Sequence, residues 1–68
     1  MKKISIVVPC YNEEENVVPL SQAIISMFHK DLPGYEYELL FIDNDSHDRT
    51  RDLIRELCEK DPGIKGIF

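Results

Sequence analysis

Two short apolar runs that stop abruptly at polar residues dominate the pattern of this chain. Ile4-Ser5-Ile6-Val7-Val8 runs into Pro9-Cys10-Tyr11-Asn12-Glu13-Glu14-Glu15-Asn16, and Leu39-Leu40-Phe41-Ile42 runs into Asp43-Asn44-Asp45-Ser46. The first run is rich in β-branched residues and apolar almost throughout, which predicts a strand over residues 4–8 covered on both faces. Pro9 has no amide proton for a ladder, so the strand is expected to stop there. A first helix should open near Glu15 or Asn16, with Asn16 as candidate cap and Pro19 in the first turn, where a missing amide proton costs little. Val17, Leu20, Ile24, Met27 and Phe28 recur at three- and four-residue steps and form one stripe to face the sheet. Asp31-Leu32-Pro33-Gly34 ends this helix, and a second strand follows over residues 37–42. The second helix is expected after the acidic turn, with Ser46 or Asp48 as candidate caps and Leu53, Ile54, Leu57 and Cys58 as its buried face. Asp61-Pro62-Gly63 ends it, and a third strand starts over residues 64–68. The order β-α-β-α-β with amphipathic crossovers predicts an α/β fold, a Rossmann-like parallel half-sheet with right-handed connections. In such sheets ligands bind at the carboxyl ends of the strands, so the two polar strand ends should form one crevice.

Length and charge narrow the picture. Sixty-eight residues are enough for one small domain, and a chain this short buries only about 60% of its unfolded surface. The sequence stops at Ile67-Phe68, inside the expected third strand, which would leave an apolar sheet edge uncovered. The expectation is a single partial domain over residues 1–68, needing the remainder of its own domain or another copy to cover that strand. A net charge of −5 argues against nucleic acid as a partner. Two cysteines without metal-ligand spacing, Cys10 and Cys58, make neither a zinc site nor a disulfide scaffold, and a reduced cytoplasmic setting is the default. The apolar run after Met1-Lys2-Lys3 is too short for a signal peptide or a membrane span.

The candidate chemistry lies at the two strand ends. Tyr11 either stacks on a nucleobase or wedges beneath its loop. Asn12 and Glu13 either reach a ribose or sugar hydroxyl or cap the helix. Asp43, Asn44 and Asp45 come in succession, and alternation along the strand lets only one or two of them face the crevice. A carboxylate there can accept from a ring N–H or a ribose hydroxyl, and a carboxamide can give one bond and take another. An Asx-rich turn capping the second helix is the structural alternative. Ser46 and Asp48 are assigned to capping. Cys10 has no His near it in sequence and is not taken as a nucleophile, and His29 and His47 each stand alone without a second metal ligand. No Gly-rich dinucleotide loop follows the first strand and no Walker-type Gly-Lys-Ser/Thr occurs. A nucleotide bound here would be held through its base and ribose, with a metal managing the phosphates elsewhere.

Residues 6–16 together with residues 37–50, Tyr37-Glu38-Leu39-Leu40-Phe41-Ile42-Asp43-Asn44-Asp45-Ser46-His47-Asp48-Arg49-Thr50, resemble the opening of the family 2 inverting glycosyltransferases. The resemblance is nearest to the branch of polyprenyl-phosphate and dolichyl-phosphate sugar synthases, and it covers essentially the whole chain. It implies the N-terminal, nucleotide-binding part of a GT-A fold that takes a UDP- or GDP-sugar and serves glycan or cell-envelope biosynthesis. The implied nucleotide-sugar-binding residues are Pro9, Tyr11, Asn12, Glu13, Asp43, Asn44 and Asp45. The chain departs from the family's Asp-Asp-Gly-Ser form, placing Asn44 where the base-reading carboxylate is often found. The resemblance further implies that the metal-binding Asp-x-Asp and the catalytic base lie beyond Phe68. A divalent cation, Mg or Mn, is then expected in the intact enzyme and not on this segment, and no catalytic residue is assigned. The intact protein would pass a sugar to a lipid phosphate or a glycan, at the cytoplasmic face of a membrane touched only through other residues. The segment alone would bind nucleotide at most. The alternative is a non-catalytic α/β module that completes its sheet by oligomerisation or with a partner. A flavodoxin-like nucleotide binder is a third reading, although no loop suits the phosphate of FMN.

Overall fold

The structure, a computed structural model, describes residues 2–68. The elements alternate as expected: β1 (Lys2–Cys10), α1 (Val17–Asp31), β2 (Tyr35–Asp43), α2 (Thr50–Lys60) and β3 (Ile64–Ile67). The strands form one parallel sheet in the order β1-β2-β3. Lys2 lies opposite Tyr35, and the register runs through to Cys10 opposite Asp43. β3 pairs Ile64 with Leu39 and Ile67 with Ile42. β1 and β2 therefore end level with one another, and their two following loops leave the sheet side by side.

The register explains the core. Ile6, Leu39 and Ile64 fall in one row across the sheet, and Val8 lies beside Phe41 on the same face. Leu39, Phe41 and Ile64 are buried there with Cys10, Val17 from α1 and Ile54 from α2, and Ile24, Ile25, Leu53, Leu57 and Cys58 pack around them. Phe28 is buried as well, its ring centroid 5.7 Å from that of Tyr37. Burying the six valine, leucine, isoleucine and phenylalanine side chains among them, at about 1.5–3 kcal/mol each, drives the assembly.

Three expectations are corrected. β1 runs through Pro9 to Cys10 rather than stopping at Val8. The Cys10 carbonyl accepts from the Asn44 amide at 2.8 Å, so Cys10 faces β2 and the nitrogen of its neighbour Pro9 faces the open edge of β1, where no donor is required. β1 is also covered on one face only. Both crossovers step the same way along the sheet, which puts both helices on one side. The other face carries Ser5, Val7 and Pro9 to solvent, with Val7 55% and Ile67 50% exposed. Finally, the buried stripe of α1 is rotated from the expected one. Leu20 and Met27 are exposed, whereas Ser21 is buried and Ile25 packs on the core. The Ser21 hydroxyl donates to the Val18 carbonyl at 2.8 Å, so it enters the interior already satisfied.

Candidate functional site

The carboxyl ends of β1 and β2 carry two loops, residues 11–16 and 44–49, and side chains of one clasp the backbone of the other. The Asn12 amide donates to Ser46 Oγ at 2.9 Å, and the His47 amide donates back to Asn12 Oδ1 at 2.8 Å. The Glu13 amide donates to Thr50 Oγ1 at 2.8 Å, and the Glu14 amide to Asp48 Oδ2 at 3.3 Å. Asp48 Oδ1 in turn accepts from the amide and the hydroxyl of Thr50. Asn12 and Asp45 hold left-handed backbone, φ 49° and 59°, a region these two residue types tolerate better than most. The first loop thus presents its amide donors to the second loop, which is why both stand in fixed relation.

Ser46 is consequently a clasp between loops and not a helix cap. Asp48 does satisfy the Thr50 amide, but α2 starts after Arg49, which gives no side-chain cap bond. Asn16 does occupy the cap position of α1, yet its side chain donates to Glu13 Oε2 at 2.9 Å instead of accepting from the helix.

Asp43 is the one acidic side chain of the crevice that is enclosed completely. Its Oδ2 accepts from the Ser46 amide at 3.1 Å and from Arg51 Nε at 2.7 Å. Its Oδ1 is buried without a partner. Burial by itself pushes this carboxyl up, but the hydrogen bonds from Ser46 and Arg51 and the Arg51 charge outweigh it and hold the group below its usual range. Asp43 is therefore a carboxylate at neutral pH with one oxygen still short of a donor, a state that costs about 1–3 kcal/mol or more for a charged group.

The other expected residues gather at the same end. Tyr11 is 54% exposed, not wedged beneath its loop, and its ring is open to solvent. Pro9, Asn44 and Asp45 are exposed, and Glu13 is half-buried. Asn12 Oδ1 and Glu13 Oε2 are already engaged within the loops. Sequence reasoning missed Arg51 and Thr50. Thr50 is fully buried, and the spacing Ser46-x-Asp48-x-Thr50 was its available signal. Cys10 is buried beside Asp43, and burial first, then the Glu13 and Asp43 carboxylates, push its thiol up. It is no nucleophile. Among the described residues, no group of three His, Cys, Asp or Glu side chains is placed to hold a metal ion. No helix there is long and apolar enough to cross a membrane. A separate cavity of about 460 Å³ lies at the amino ends of the strands, between Lys3, Phe28, Tyr35, Tyr37 and Asp61.

Residues 5–68 match the family described as Glycosyl transferase family 2. The chain belongs to that family. Its three-stranded parallel sheet is the Rossmann-like form expected for the N-terminal part of a family 2 domain. It is 38% identical over 60 residues to a dolichol-phosphate mannosyltransferase of Pyrococcus furiosus, covering 88% of this chain and 16% of that protein. It is 42% identical over 60 residues to a prophage bactoprenol glucosyl transferase homolog of Escherichia coli, covering 88% of this chain and 19% of the relative. A Methanococcus voltae protein named a dolichyl N-acetyl-alpha-D-glucosaminyl phosphate 3-beta-D-2,3-diacetamido-2,3-dideoxy-beta-D-glucuronosyltransferase is 38% identical over 60 residues, covering 88% of this chain and 18% of its own length. The chain thus spans less than a fifth of these family 2 relatives. Their names fit the lipid-phosphate branch that the sequence resembles. No solved structure matches the chain.

Proposed function

We propose that these residues are the nucleotide-binding segment of an inverting glycosyltransferase that passes a sugar from a UDP- or GDP-sugar to a lipid phosphate or a glycan. The observation that supports this reading best is the stitched pair of loops at the level ends of β1 and β2. They place an exposed tyrosine, next in sequence to Cys10, at the same end of the sheet as a carboxylate whose one buried oxygen is unsatisfied. An aromatic face accepts any base by stacking, while a single acceptor oxygen matches a ring N–H. The exposed Asn44 carboxamide can donate to a base carbonyl, and Asp45 can accept from a ribose hydroxyl. Pro9, Asn12 and Glu13 shape the rim on the side of β1.

The work of these residues is binding and orientation. Inverting transfer needs a base on the acceptor hydroxyl and a cation, Mg or Mn, that stabilises the departing diphosphate. The described residues do not fit a metal, and no step through one is assigned to them. In the intact protein both would come from other residues, at the cytoplasmic face of a membrane.

Calorimetric titration with UDP, GDP and ADP tests the reading. Binding of UDP or GDP is expected, with ADP weaker. Tyr11→Ala should weaken it roughly 5- to 150-fold, because stacking is worth about 1–3 kcal/mol per base. Absence of binding by all three, or affinity unchanged in Tyr11→Ala, would overturn it. The bare face with Val7 and Ile67 favours a second reading, a module that completes its sheet with another copy or a partner. A stable dimer in sedimentation, without nucleotide binding, would favour that reading instead.

A further inference from the structure

Arg51 makes more contacts than a surface arginine in the first turn of a helix requires. Its Nε donates to Asp43 Oδ2 at 2.7 Å, and its terminal nitrogen lies 3.9 Å from Asp45 Oδ1. Its guanidinium carbon stands 5.7 Å from the centre of the Phe68 ring, and that of Arg55 lies 4.7 Å from the same ring. Arginine over an aromatic face gains from both charge and stacking.

The bond to Asp43 has a directional consequence. A carboxylate turns about a broad, two-fold torsion, so the Ser46 amide alone would hold either oxygen equally well. The second donor breaks that equivalence. With two bonds on Oδ2 its lone pairs are filled, and Oδ1 is left as the only free acceptor of an enclosed group. The charged and titratable groups around it are Arg51 from α2, Cys10 from β1, Asp45 in its own loop and Glu13 from the first loop.

We propose that Arg51 is the positioning residue of the crevice: it locks the Asp43 carboxylate in one orientation, with two hydrogen bonds on Oδ2 and the buried Oδ1 left as its unpaired acceptor, and Phe68, just past β3, braces Arg51. The use of that acceptor by a nucleotide rests on the function proposed above; the lock itself does not.

The test pairs a titration of the Asp43 carboxyl by carbon-detected NMR with UDP and GDP binding, in the wild type, Arg51→Met, Arg51→Lys and Phe68→Leu. The Arg51 hydrogen bond and charge both hold the Asp43 carboxyl down. Asp43 should therefore titrate higher in Arg51→Met than in the wild type. Arg51→Lys keeps the charge but loses the planar fork, so it should recover only part of the shift, and Phe68→Leu should lose part of it. Nucleotide affinity should fall about tenfold in Arg51→Met, equivalent to about 1.4 kcal/mol. An Asp43 titration unchanged in Arg51→Met would overturn the proposal. So would a full recovery in Arg51→Lys, which would mean that charge without geometry suffices. If Arg51→Met fails to fold, Arg51→Lys and Phe68→Leu decide on the same readout. If the wild type binds neither nucleotide, the proposed function fails, while the carboxyl titration still decides the role of Arg51.

Discussion

Replacing Thr50 by Val should loosen the two loops with almost no change of shape. The side chain is fully buried, and its hydroxyl accepts from the Glu13 amide at 2.8 Å while donating to Asp48 Oδ1. Valine fills the same volume but leaves a part-buried amide donor without its acceptor. An unsatisfied group of this kind costs about 1–3 kcal/mol. Asp48 keeps its bonds from the Thr50 and Glu14 amides, so its loss is the smaller of the two. A net cost of about 2 kcal/mol is large for this chain, since at about 0.05–0.15 kcal/mol per residue a domain of 68 residues is stable by roughly 3–10 kcal/mol. With about 4–8 °C per kcal/mol for a domain of this size, Tm should fall by roughly 8–16 °C. Thermal unfolding followed by circular dichroism measures that fall, and hydrogen exchange should show the Glu13 amide losing protection more than amides of the β2 centre. A Tm within about 2 °C of the wild type, with Glu13 still protected, would refute the claim that Thr50 fastens the loops.

Other consequences follow from the same geometry. Leu20→Gln should change unfolding free energy by less than about 0.5 kcal/mol, as exposed positions do, whereas Ser21→Leu should cost about 1–3 kcal/mol by overfilling a buried site; urea unfolding of both distinguishes the observed stripe of α1 from the one periodicity predicts. At the amino end of the sheet, the Tyr37 hydroxyl donates to an Asp61 carboxylate oxygen, and this bond, with burial and the Asp61 charge behind it, pushes the phenol up from 10.0 to about 12. A phenol raised in the folded state contributes stability fully below pH 10 and loses it as pH rises from 10 through about 12. Urea midpoints should therefore drop between pH 10 and 12 in the wild type, and less in Tyr37→Phe.

The order and type of the elements were legible because each apolar run is short, β-branched or aromatic, and bounded by turn residues. That the polar ends of β1 and β2 share one crevice was legible as well, from the parallel order of the strands. What periodicity could not supply was rotation and register. Val17, Leu20, Ile24, Ile25, Met27 and Phe28 offer α1 more than one apolar face, and contact with α2 and the sheet selects the one through Ser21. Burial of a serine is invisible to a hydrophobic pattern, since its hydroxyl is satisfied inside its own helix. Pro9 likewise reads as a stop until the edge position of β1 is known. Ser46 and Asp48 look like caps in one dimension, and Thr50 goes unnoticed, because the amides they receive, those of Asn12, Glu14 and Glu13, lie more than thirty residues away. Arg51 gave no signal at all, as its partner Asp43 lies eight residues back, across the loop.

The most direct test of the central claim is to map nucleotide contacts by amide NMR on the 68-residue chain. Titration with UDP or GDP should shift the amides of Tyr11, Asn12 and Glu13 together with those of Asn44, Asp45 and His47, and leave Lys3, Tyr35 and Gly63 unmoved. Shifts confined to the cavity at the amino ends of the strands, or none at either end, would contradict the assignment of the crevice as the nucleotide site.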